Sequence, residues 1–109
     1  MSSAIANFEK LLAAGKDSAL LRFGLGNEYF KAGDFGMAAA HLQHAVAMDR
    51  TYSAAWKLLG KALGELGQFA AALSAYEDGI AAADGRGDQQ AAKEMRVFAN
   101  RLRKQHDLG

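Results

Sequence analysis

The sequence predicts an all-α chain of about six helices, stacked as antiparallel hairpins into a solenoid. Three observations carry this expectation. The chain matches itself when shifted by thirty-four residues. Apolar residues recur at helical spacing between the same breakpoints in both copies. The 109 residues include 12 glycines and no proline, so glycine and polar caps must do all the helix stopping.

Under the shift, Leu25 falls on Leu59, Gly26 on Gly60, Gly33 on Gly67, Phe35 on Phe69, Ala38 on Ala72 and Ala47 on Ala81. Conservative matches surround them: Tyr29 with Leu63, Leu42 with Tyr76, Ala45 with Gly79 and Val46 with Ile80. The shared residues are small or apolar and the charged ones differ. Such a pattern preserves a packing scheme rather than a chemistry.

The elements follow in order. Residues 3–14 place Ile5, Phe8, Leu11 and Leu12 on one helical face; thirty-four residues later stand Ala39, Leu42, Ala45 and Val46, so this segment reads as the second helix of a preceding half-repeat. Gly15 ends it, and Asp17 or Ser18 caps the next helix. Residues 18–32 form the leading helix of the first full repeat, stopped by Gly33 in the left-handed conformation that glycine adopts cheaply. Asp34 caps the partner helix, 35–48, whose inner face carries Phe35, Ala38, Leu42, Ala45 and Val46. The second repeat copies this with 53–66, the stop at Gly67, the weaker cap Gln68, and 69–83. Asp84-Gly85-Arg86-Gly87-Asp88 reads as an interhelix turn. Asp88 caps a last helix, 88–106, with Ala91, Ala92, Met95, Phe98 and Leu102 as its apolar stripe. Ser2, Ser3, Ser18 and Ser53 read as helix-start residues. Gly26 with Ala38, and Gly60 with Ala72, fall where paired helices approach most closely. A mid-helix glycine costs roughly 1 kcal/mol relative to alanine, which close packing must offset.

The repeat resembles the tetratricopeptide repeat. Its motif runs Trp, Leu-Gly, Tyr, a Gly-Asp-Tyr turn, Ala, an aromatic, Ala and a closing Pro. The second copy reads Trp56, Leu59-Gly60, Leu63, Gly67-Gln68-Phe69, Ala72, Tyr76, Gly79; the first reads Arg22, Leu25-Gly26, Tyr29, Gly33-Asp34-Phe35, Ala38, Leu42, Ala45. Arg22 stands where Trp is usual, and Arg50 and Asp84 where Pro is usual, which leaves the inter-repeat turns less rigidly specified. The resemblance implies a right-handed solenoid over a single domain: a half-repeat helix at 3–14, repeats at 19–52 and 53–86, and a capping helix at 88–106. That last helix sets Lys93, Arg96, Arg101, Arg103 and Lys104 opposite its stripe, as a solvated end cap requires.

Composition narrows the chemistry. Half the residues are apolar, 23% are charged, and the net charge is +1, an ordinary globular balance without a field for nucleic acid or membrane. With no cysteine, disulfides and thiolate metal sites are excluded. The N-terminus lacks a basic region followed by a long apolar run, and no stretch approaches the roughly 20 apolar residues of a membrane span; cytoplasmic residence is the expectation. His41 and His44 share a helical face, but two imidazoles do not complete a metal site, and both read as solvated surface residues. No paired carboxylates suit acid–base catalysis, the glycine-rich 84–88 segment lacks the Gly-Lys-Ser/Thr ending of a phosphate loop, and the basic last helix lacks interleaved aromatics for stacking bases. Neither a cofactor nor a metal is expected, nor catalysis.

What remains is binding. In the family the first helix of each pair lines a concave groove. The resemblance therefore places Phe23, Asn27, Phe30 and Lys31 of the first repeat there, with Lys57, Leu58 and Lys61 of the second and Met95 of the last helix. An apolar floor with convergent cations suits a short peptide carrying hydrophobic anchors and an acidic group. Phe23 or Phe30 packing against a neighbouring helix is the competing reading. Some family members grip the C-terminal carboxylate of chaperones with Lys and Asn residues. Asn27 matches one clamp position, but Phe23, Leu58, Asp88 and Ala92 depart from the others, so that function is not expected. The expectation is an adaptor or scaffold holding a protein or peptide partner, as a monomer or weak homo-oligomer. The alternative is a structural module that self-associates or packs on further domains.

Overall fold

The computed structural model describes residues 3–108; Met1, Ser2, with the helix-start role expected for it, and Gly109 lie outside them. Six helices run in order: α1 (Ser3–Ala13), α2 (Ala19–Lys31), α3 (Phe35–Met48), α4 (Ser53–Glu65), α5 (Phe69–Arg86) and α6 (Gln89–His106). The described residues contain no strand. Each helix packs on its sequence neighbours; α4 also touches α2 on one side and α6 on the other, while α1 packs on α2 and meets α3 through Glu9 and His41. Contact confined to near neighbours is the mark of a stacked array. The extents of 43 × 29 × 19 Å agree with an elongated body.

Gly33 and Gly67 do what the sequence assigns them. Both hold positive φ, 81° and 76°. In each turn the following residue reaches back five positions, Asp34 N–H to Tyr29 C=O at 2.9 Å and Gln68 N–H to Leu63 C=O at 2.9 Å. The glycine N–H closes the inner ring on Phe30 C=O and Gly64 C=O respectively. These are Schellman closures, which satisfy carbonyls orphaned at a helix end. Gly15 and Gly87 close α1 and α5 in the same conformation. Ser18, Asp34 and Asp88 cap the following helices by accepting from Leu21, Met37 and Ala91 N–H. Gln68 makes no side-chain cap bond, and α4 begins without one, at Ser53 after Tyr52.

The core is a continuous apolar seam through α3, α4, α5 and α6. Leu42 and Met95, together with Leu25 of α2, are the largest fully buried side chains among the described residues. The mid-helix glycines let paired helices close. A Cβ on Gly26 would stand 2.5 Å from Leu42 Cγ, and one on Gly60 would strike the Tyr76 ring. The larger partners at 42 and 76, rather than Ala38 and Ala72, therefore fill the space each glycine vacates. Gly79 plays the same part between Trp56 and Met95.

Three expectations are corrected. The segment 84–86 is not turn but the last stretch of α5, which ends only at Gly87. Its counterpart α3 stops earlier because Asp49 turns away, its carboxylate accepting from Thr51 N–H at 3.0 Å and Thr51 Oγ1 at 2.7 Å. At the equivalent position α5 has Ala83, fully buried and a strong helix former. Asp84 and Arg86 then serve as surface anchors, Asp84 pairing with Arg96 at 2.7 Å and Arg86 donating to Thr51 C=O at 3.1 Å. The proline-free joint between repeats is also better specified than the sequence implies. Besides the Asp49 closure, Trp56 Nε1 donates to Arg50 C=O at 2.9 Å while the Arg50 guanidinium lies over the indole.

The third correction concerns His41. It is buried, not solvated, whereas His44 is exposed as expected. Arg22, in the position where the second repeat has Trp56, grips Asp17 with two hydrogen bonds, 2.9 and 3.0 Å, and donates to His41 Nδ1 at 3.1 Å. Tyr29 stacks on the imidazole. Because Nδ1 accepts, the neutral ring carries its proton on Nε2. That atom faces Glu9 Oε1 of α1 at 3.6 Å, and both atoms are buried without a hydrogen-bond partner.

Burial pushes the His41 pKa down; Glu9 on α1 opposes this, and Arg22 on α2 and His44 on α3 reinforce it, with Asp17 a weaker opposing carboxylate. A depressed folded pKa means that the neutral ring's contribution is complete at pH 7. It is lost as pH falls below the ordinary histidine value of about 6.5, where the unfolded chain takes up the proton first. Thermal melts should therefore show Tm declining between pH 7 and 5.5 for the wild type, and declining less for His41→Gln. Parallel declines would show that His41 is not the titrating group.

Candidate binding surface

Helices α2 and α4 lead the two hairpins, α6 follows as the next helix in the alternation, and α4 touches both of the others, so their faces form one surface. Phe23 stacks on Tyr52 with centroids 5.0 Å apart, and Phe30 meets Phe35 edge-on at 5.1 Å. Both rings, like Leu58, are half-buried and lean on the core. The reading of Phe23 and Phe30 as wholly free anchors thus gives way to a mixed one: each ring spends one face on its neighbour and keeps the rest accessible. Asn27 is half-buried between them along α2. Met95 is removed from the surface altogether, being fully buried. It points inward because Gly79 leaves a gap in α5 that its thioether fills.

The cations sort into spent and unspent. Lys31 pairs with Glu28 at 2.8 Å, and Lys57 with Glu94 at 2.9 Å. The ammonium beside Glu94 holds that carboxyl below the usual carboxylate range. Lys61 has no carboxylate within ion-pair reach among the described residues; its Nζ sits 5.2 Å from the Phe98 ring centroid. Arg101, one α6 turn beyond Phe98, is likewise unpaired among the described residues. By contrast Arg96 and Arg103, on the flanks of α6, are tied to Asp84 and Glu77.

Lys61 and Arg101 border one cavity of about 480 Å³ between α4 and α6. Its walls are aromatic: Phe30 from α2, Phe69 and Tyr76 from α5, Phe98 from α6. His106 stacks on Phe69 with centroids 3.5 Å apart and closes one end. Burial pushes the Tyr76 pKa to about 12, so its hydroxyl is a neutral donor and acceptor at physiological pH. Glu65 contributes a carboxylate at the rim.

Of the eight residues expected in the groove, Phe30 and Lys61 line this cavity. Phe23 lines a second one, of about 440 Å³, between α1 and α2. Asn27, Lys31, Lys57 and Leu58 lie on the same helices but in neither cavity. Sequence reasoning missed Arg101, Leu102 and His106. The signal was present: they continue the Phe98 stripe at intervals of three and four, but the basic character of this stretch led to its assignment as a solvated cap. Asp88 caps α6 and Ala92 is buried, so neither belongs to a carboxylate-gripping set.

The tetratricopeptide repeat family profile matches residues 29–95. The chain is 55% identical over 98 residues to the TPR repeat-containing protein PA0015 of Pseudomonas aeruginosa, covering 90% of this chain and 93% of that protein. The solution structure of protein BPP2914 from Bordetella parapertussis is similar, with 46% identity, a TM-score of 0.82, and coverage of 99% of this chain and 94% of that one. The crystal structure of YrrB, described as a TPR protein with an unusual peptide-binding site, has 25% identity and a TM-score of 0.54 over 95% of this chain and 61% of that one. Of the described helices, none is long and apolar enough to cross a membrane. The thirty-four-residue register, the glycine-closed hairpins and these likenesses together establish that the chain belongs to the tetratricopeptide repeat family.

Proposed function

We propose that this chain is a protein-interaction module whose α4–α6 cavity receives a short peptide segment pairing an apolar or aromatic anchor with a carboxylate. Protein recognition is the general role of the family, and a peptide-binding site is what the YrrB description states of that protein. The observation that carries the reading is the pairing of Lys61 and Arg101, two cations with no carboxylate partner among the described residues, over an aromatic cavity of about 480 Å³. A cation left unpaired at the lip of an apolar cavity attracts an acidic ligand, while the rings supply the burial that gives affinity. Lys57, spent on Glu94, is a weaker contributor than the sequence alone indicates.

Selection of displayed random peptides against the wild-type chain tests this. The enriched sequences should combine Asp or Glu with a large apolar residue. Their affinity should fall about tenfold or more in a Lys61→Glu, Arg101→Glu double variant, and should weaken as salt screens the pair. Equal binding to both proteins, with no salt dependence, would remove this cavity as the site.

A further inference from the structure

The second cavity, between α1 and α2, lies at the opposite end of the array and shares no residue with the first. Phe8 and Leu11 of α1 and Leu20, Phe23 and Gly24 of α2 line it, with Lys16 at the connecting turn. Two large apolar side chains stand open there, Leu20 at 71% exposure and Leu11 at 45%. Exposed apolar groups gathered at one place mark an interaction surface.

The internal repeat says what shape the surface expects. Shifted by thirty-four residues, α1 becomes α3 and α2 becomes α4, and Phe8 becomes Leu42. The groove between α3 and α4 is occupied by α2 itself, with Gly26 seated on Leu42 and Phe23 stacked on Tyr52 at the head of α4. At the α1–α2 groove no described helix takes that place: only α1, α2 and the turn joining them line it. The groove is thus a seat for one helix lying parallel to α2, with a small residue over Phe8 as Gly26 lies over Leu42.

Charge selects the occupant. Lys16 is the one charged residue among those lining the groove, and no carboxylate lines it. A helix parallel to α2 begins beside Lys16, so its positive N-terminal end meets a cation unless its first turn is acidic. None of the six helices here has an acidic residue in its first turn. Two copies meeting through this face would also oppose Lys16 to Lys16. The geometry points to the α1–α2 groove as a docking site for an amphipathic helix of another protein, with a carboxylate in that helix's first turn.

The probe is a blocked peptide of residues 18–32 of this chain, the segment that fills the equivalent groove one repeat later, with Ala19→Glu and Leu20→Glu. Titrated into the isotope-labelled chain, it should shift the amide resonances of Leu11, Leu20 and Gly24 saturably. Lysines in place of its two glutamates should weaken binding about tenfold. Leu20→Asp in the protein, at a side chain too exposed to threaten folding, should do the same while the circular dichroism spectrum is unchanged. The proposal is overturned if no shifts occur in this groove, if they fall only in the α4–α6 cavity, or if the lysine peptide binds equally well. It is overturned too if the chain forms a dimer that Leu20→Asp dissolves, which would give the face to a second copy. None of these results bears on Lys61 or Arg101.

Discussion

Truncating Trp56 to alanine should cost about 3–5 kcal/mol of stability, the range for removing a buried large aromatic, out of about 5–15 kcal/mol for a typical domain. Three losses coincide. Trp56 is 6% exposed and belongs to the core seam, so removing the indole opens a cavity beside α4. The Nε1–H bond to Arg50 C=O disappears, leaving a turn carbonyl to find water. The Arg50 guanidinium loses the ring beneath it. Urea unfolding followed by circular dichroism should show the midpoint falling to about half its wild-type value or below. A change under about 1 kcal/mol would mean that the joint between the repeats is held elsewhere. Arg22→Ala, at the matching position of the first repeat, removes less apolar volume and should cost less.

Gly60→Leu should be comparably damaging for the opposite reason. Even a single Cβ at this position strikes the Tyr76 ring, and a leucine must force α4 away from α5 along the core seam. Overpacking typically costs about 1–3 kcal/mol. Here the obstacle is a buried ring held at 4% exposure against Phe98, so the cost should sit at or above the top of that range, outweighing the roughly 1 kcal/mol that replacing a helical glycine returns. Gly85→Leu is the control: this glycine is also helical, but a Cβ there would meet nothing within 4 Å, and the change should be neutral or stabilising. Equal Tm values for the two variants would show that Gly60 is not a packing residue.

The fold was legible because its determinants are local. Gly33, Gly67, Asp34 and Asp88 act on backbone within five residues of themselves, and the thirty-four-residue register repeats them. The site was less legible because its state depends on pairs distant in sequence. Lys57 is spent on Glu94, thirty-seven positions away, and nothing in the pattern of either helix shows this. Met95 looks like one more member of a stripe until Gly79 opens a space for it. His41 falls outside the apolar stripe of α3 and reads as a surface residue. Arg22, the departure from the motif that the sequence marks plainly, reaches across from α2 and makes a buried polar position tolerable. The extension of α5 was missed because Asp84 and two glycines are poor helix formers in isolation, and only Ala83 beneath them and the partners of Asp84 and Arg86 hold that end in place.

The turn between the repeats, closed by Asp49, Thr51 and Trp56 without proline, also bears on how fast the array assembles. A proline there would have made the share of unfolded molecules holding the wrong isomer wait on isomerisation lasting tens of seconds or more. This chain has none anywhere, and its contacts join helices close in sequence, an arrangement that shortens the search for native pairings. Because α1 packs only at one end of the array, it can detach and re-dock while the contacts among the other helices stay in place.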